Sequence, residues 1–191
     1  EFNGQMAQPD RAAIQLAGGL DASIRIVPTA AAPDNNHERA GRTGVDWFKS
    51  LGATDVTSLP IIDQASADDP AISAELSQAG LIYLLGGFPR YLAETLSGSR
   101  SWRSILSALQ AGAVLAGSSA GAMVICDYYF DPGASRVLDG LKILQNICIL
   151  PHHDTFGKTW ARQLTNLLPQ SILAGIDEET GLINDAQDGR W

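Results

Sequence analysis

The chain is poor in cysteine, in histidine and in long apolar runs. Of 191 residues only two are cysteines, Cys126 and Cys148, each in an apolar setting. Buried free thiols in a reducing compartment explain them better than a disulfide framework does. No Cys-x-x-Cys or His-x-x-x-His spacing exists, so no metal centre and no cofactor is expected. The longest apolar stretches, "LIYLL" and "AVLAG", are far too short to span a bilayer. No basic run offsets the net charge of −8, which argues against nucleic acid or an anionic membrane as partner. The opening "EFNGQMAQPDR" has neither the charged start nor the apolar core of a targeting signal. A cytoplasmic protein is the expectation. The tail stops just after Asp188-Gly189, a hairpin turn signal with no return strand, which suggests that the chain is trimmed.

What is present is globular. Hydrophobic residues make up 45% and charged residues 18%, the balance of a chain with a real core. Over 191 residues, with no linker, repeat or low-complexity segment, one domain is the economical reading.

Periodicity predicts strands alternating with helices. Strands are expected at 23–28, 53–61, 81–85, 113–117 and 146–151. Helices are expected at 35–52, 68–80, from Pro89 to about Leu96, and at 101–112, 120–129 and 156–168. The segment 173–185 reads as two short strands around an acidic turn. Apolar strands between helices imply an α/β fold: a three-layer, doubly wound, mostly parallel sheet with helices on both faces. Ligands bind such sheets beyond the carboxyl ends of the strands.

Those strand ends carry chemistry. "GSSAG", residues 117–121, fits Gly-x-Ser-x-Gly with Ser119 at its centre. Such a serine sits on a tight strand-to-helix turn that pushes its hydroxyl out of the sheet, and the glycines remove side chains that would clash. The bland reading is a small-residue turn, but a strand before and a helix after are what the mechanism requires. Ser118 is one residue early and should point elsewhere. A serine nucleophile needs a base, and the chain has three histidines. His37 reads as a solvated helix residue. His152 and His153 follow the strand 146–151, at the same sheet edge as Ser119. A base needs an orienting group; Asp177, Glu178 and Glu179 follow the next strand. Gly86-Gly87 supplies backbone that can approach a substrate closely, as an oxyanion hole requires.

"GGFPRYLAETL", "GSSAGA", "PHHD" and "GIDEETGL" together resemble the dipeptidase E and cyanophycinase family of serine peptidases. The resemblance covers residues 23 to 185 or so. It implies a class I glutamine amidotransferase-like fold, with Ser119 as nucleophile, His152 as base and Glu178 as its acidic partner. Gly87 and Ala120 match the oxyanion donors. The implied activity is hydrolysis of small peptides, aspartyl ones among them, through an acyl-enzyme. Gly86, Phe88, Arg90 and His153 are then candidates for substrate contact, with Arg90 or Lys158 as the cation for a carboxylate. There are departures. Phe88-Pro89 stands where cyanophycinase-like members usually have Asn or Asp followed by Gln, which argues against cleavage of a β-aspartyl-arginine polymer. The family's usual His-Phe is His152-His153 here. Its initial glycine-rich strand and its strand after the Gly-Ile-Asp-Glu segment are absent. The alternative is a catalytically silent binding or scaffold protein of the same fold. The sequence leaves oligomeric state open, a homodimer among the options.

Overall fold

The structure, a computed structural model, describes residues 2–184. Four parallel strands form its centre: β1 (Ile24–Val27), β2 (Val56–Ser58), β3 (Leu81–Leu84) and β4 (Val114–Gly117), in the order β2-β1-β3-β4. β1 and β3 are buried on both faces, which is why they read as continuous apolar runs. Alternation divides their side chains between two cores. Ile24, Ile26, Leu81 and Tyr83 face one side, with Val114 and Ala116 of β4 packed against them. α1 (Ala7–Leu16) and α2 (His37–Ser50) cover that face through Ile14 and Phe48. Val27, Ile82 and Leu84 face the other side, with Leu115 packed against them. There they meet α4 (Pro70–Ser77), α5 (Pro89–Leu96), α6 (Arg100–Gln110) and α7 (Ala120–Val124). α3 is the short turn Gln64–Ala67.

α5 starts at Pro89 because proline has no N–H to lose in a first turn. α4 starts likewise at Pro70, capped by the Asp69 carboxylate.

The carboxyl-terminal part departs from the expected pattern. The predicted helix over 120–129 ends at Val124, and β5 (Tyr128–Asp131) pairs antiparallel with β6 (Arg136–Asp139). Aromatic Tyr128-Tyr129-Phe130 favours a strand, and the carbonyls that would continue the helix are taken by other chain: Leu141 donates to Val124 and Lys142 to Cys126. β7 (Ile147–Pro151) pairs in parallel with β8 (Ile172–Ile176), apart from the four-stranded sheet. Between them run a π-helical turn (His153–Gly157) and α8 (Lys158–Leu167). Only one of the two strands expected over 173–185 forms among the described residues; residue 185 and the Asp188-Gly189 turn lie outside them. No helix among the described residues is long and apolar enough to cross a membrane.

Candidate active site

The turn from β4 into α7 is built from close approaches. A Cβ on Gly121 would run into the Leu84 carbonyl oxygen, and one on Gly117 would lie 2.5 Å from the Gly121 carbonyl carbon. Both glycines of the motif are therefore demanded by packing. Between them Ser119 has φ 48° and ψ −111°, a region that side chains disfavour. Ser119 occupies the N-cap of α7, where a serine usually bonds its own helix. Its hydroxyl makes no such bond. Instead Oγ lies 3.0 Å from His152 Nε2. The Ser118 hydroxyl, by contrast, is buried without a hydrogen-bond partner.

His152 directly follows β7 and is itself held in the left-handed region, at φ 52°. Its carbonyl accepts from the N–H groups of Thr155 and Gly157 and from the Thr155 hydroxyl, at 3.1, 2.8 and 3.1 Å. Gly157 has no room for a Cβ, which would strike the Pro151 carbonyl oxygen. This single π-helical turn fixes the direction of the ring. On its far side His152 Nδ1 lies 3.0 Å from Glu178 Oε1. A carboxylate only accepts, so in the neutral imidazole the pairing assigns the ring proton to Nδ1, which leaves Nε2 to accept from the Ser119 hydroxyl. Glu178 is held in turn: its N–H donates to Asp154 Oδ1 at 2.9 Å, and the Thr155 hydroxyl reaches its Oε1 at 3.4 Å.

The remaining candidates fall as follows. His153 turns away from Ser119 and lies against Gly175, its Nδ1 3.4 Å from Asp177 Oδ1. Glu179 accepts from Asn3 instead of meeting His152. Gly86 and Gly87 follow β3, beside the elbow, where Ser118 donates to Leu84. Gly87 has φ 139° and no space for a Cβ against the Ala30 carbonyl oxygen. Among the described residues, neither the Gly87 nor the Ala120 N–H donates to a backbone carbonyl. Phe88 is 45% exposed. Arg90 is paired with Glu94 on its own helix at 2.7 Å, and Lys158 donates to the Asp154 carbonyl. Neither is the unengaged cation expected for a substrate carboxylate. His37 is half-buried rather than solvated, its Nδ1 shut away without a partner.

Asp154, Thr155 and Phe156 were not legible as site residues, although they follow the histidine pair directly. Phe156 stacks on the His152 ring, with centroids 4.8 Å apart and planes 25° from parallel. No group of three or more His, Cys, Asp or Glu among the described residues could hold a metal. A cavity of about 510 Å³ lies between the β5–β6 hairpin and the end of α8, and it includes none of the three aligned side chains. Their alignment, not the cavity, marks the site. Cys126 and Cys148 are buried free thiols, pushed up by desolvation to about 12 and about 11, and so unsuited to act as nucleophiles.

Known proteins share this arrangement of chain. A cyanophycinase of Synechococcus elongatus is 29% identical over 178 residues, which are 87% of this chain and 54% of that protein. A cyanophycinase of Geminocystis herdmanii is 28% identical over 176 residues, 86% of this chain and 63% of its own length. The chain thus spans between about half and two thirds of these curated relatives. The crystal structure of a peptidase from an acI-B1 actinobacterium superposes with a TM-score of 0.82 at 32% identity, covering 93% of this chain and 77% of that one. A peptidase E-like protein from Listeria monocytogenes shares the fold, with a TM-score of 0.66 at 19% identity over 92% of this chain and 87% of its own. The profile of peptidase family S51 matches residues 4–189, nearly the whole length, and the chain belongs to that family.

Proposed function

We propose that the protein is a serine peptidase acting on small peptides through an acyl-enzyme. The observation that carries this reading is the His152 ring, with Ser119 Oγ 3.0 Å from one nitrogen and Glu178 Oε1 3.0 Å from the other. In the first step Ser119 Oγ bonds to the substrate carbonyl carbon and its proton passes to His152 Nε2. Glu178 holds the tautomer and faces the positive charge that forms. The carbonyl oxygen becomes an oxyanion, for which Gly87 and Ala120 offer N–H groups. Collapse breaks the C–N bond as His152 returns the proton to the leaving amine, and water then cleaves the ester by the same route. An aspartyl preference draws no support from Arg90 or Lys158, since each already has a partner.

A fluorophosphonate probe tests the chemistry. Covalent labelling of Ser119, lost in Ser119→Ala, is expected. A clean mass spectrum after long exposure would favour a scaffold of the same fold. Digestion of a peptide library then identifies the substrate.

A further inference from the structure

Phe156 spends its packing in an unusual place. It is 50% exposed, so it contributes little to the core for a residue of its size. Its ring meets two other rings among the described residues. One is an edge contact with Trp160, with centroids 5.5 Å apart and planes at 64°. Trp160 leans in turn on Phe130 of the buried cluster around β7. The other is the flat stack on His152. The core therefore braces Phe156 through Trp160, and Phe156 presents its π face to the His152 ring.

A π face carries negative potential and attracts a cation lying over it. The imidazole is neutral before attack and charged after it. We propose that Phe156 is a positioning residue that stabilises the His152 imidazolium formed as the Ser119 hydroxyl proton reaches Nε2. This rests on the peptidase reading above. Glu178 answers the same charge in the plane of the ring, at Nδ1. The other charged groups around the turn are engaged elsewhere: Asp154 with the Glu178 N–H, Asp177 with His153, Glu179 with Asn3, and Lys158 with the Asp154 carbonyl. Phe156 covers a face of the ring. Because its stabilisation grows with the charge, it acts on the transition state more than on the ground state.

The test is inactivation by a fluorophosphonate probe, whose attack by Ser119 also delivers a proton to His152. Phe156→Leu keeps the bulk and removes the π face. It should lower the limiting inactivation rate about five- to thirty-fold, about 1–2 kcal/mol at 1.36 kcal/mol per factor of ten. The half-saturating probe concentration should not change. Phe156→Tyr should restore the rate to within about twofold, since its ring has the same π face. Phe156→Met repeats the apolar arm with another shape, and thermal melting checks that each variant is folded. A wild-type rate in both apolar variants overturns the proposal, and so does a Tyr variant as slow as Leu. If the wild type itself is not labelled, the peptidase reading fails and the proposal with it.

Discussion

The strained backbone at Ser119 makes a prediction of unusual sign. At φ 48° and ψ −111° a residue with a Cβ carries strain of about 1–3 kcal/mol, which glycine does not feel. Two variants separate this cost from the loss of the hydroxyl. Ser119→Ala and Ser119→Gly both remove the bond to His152, so that loss cancels between them. Alanine keeps the strain and glycine relieves it. Against this, glycine gives the unfolded chain extra freedom, a cost of about 0.5–1 kcal/mol. The difference leaves Ser119→Gly more stable than Ser119→Ala by about 1 kcal/mol. In a chain of this size that is about 2–4 °C in melting temperature. Calorimetry or circular dichroism melts of the two variants, side by side, read it directly. At an unstrained site the order is reversed, with Gly below Ala. If Ser119→Gly melts below Ser119→Ala, the elbow stores no strain and this argument is wrong.

Other expectations follow from neighbouring features. Gly121→Ala should destabilise the chain and abolish probe labelling together, since its Cβ meets the Leu84 carbonyl oxygen; a folded, fully reactive variant would contradict the close packing. His152→Ala should slow hydrolysis by about three or more orders of magnitude with unchanged circular dichroism. His153→Ala should cost far less, because that ring faces Asp177 at 3.4 Å and not Ser119; equal losses in kcat/KM would refute the assignment. The buried Asp10 carboxyl is pushed up from 3.8 to about 6 by desolvation, partly offset by the Trp47 Nε1–H bond. A raised acid binds its proton more tightly folded than unfolded. Stability should therefore fall as pH rises from about 4 to about 6, by at most about 3 kcal/mol. Asp10→Asn should flatten that slope in urea melts at several pH values, and an unchanged slope would exclude Asp10 as its source.

Much of the site was readable because its residues announce themselves by position. Pro89 fixes a helix start, "GSSAG" fixes a turn, and a histidine after "NICILP" must stand at a strand end. The hairpin of β5 and β6 was not readable as such. "AGAMVICDYY" continues an apolar run across the helix end, and long-range partners such as Leu141 take the carbonyls that would carry the helix past Val124. α1 was missed because its buried face is only Asp10, Ala13 and Ile14, too little for a clear period. The π-helical turn has no pattern of its own. Its hydrogen bonds converge on one carbonyl, so the service of Thr155 and Asp154 to Glu178 appears only in three dimensions.

The three aligned side chains do not share a sheet. Ser119 leaves the end of β4, in the four-stranded sheet, whereas His152 and Glu178 follow β7 and β8, which pair only with each other among the described residues. A bond of 3.0 Å therefore joins side chains carried by two separate sheets. No residue of β8 is fully buried, and Ile172 is 65% exposed, so this pair of strands belongs to the less protected part of the molecule. The Ser119–His152 distance then works as a gauge of how well the two sheets are seated. Whatever loosens the smaller one parts His152 from Ser119 while the elbow itself stays intact.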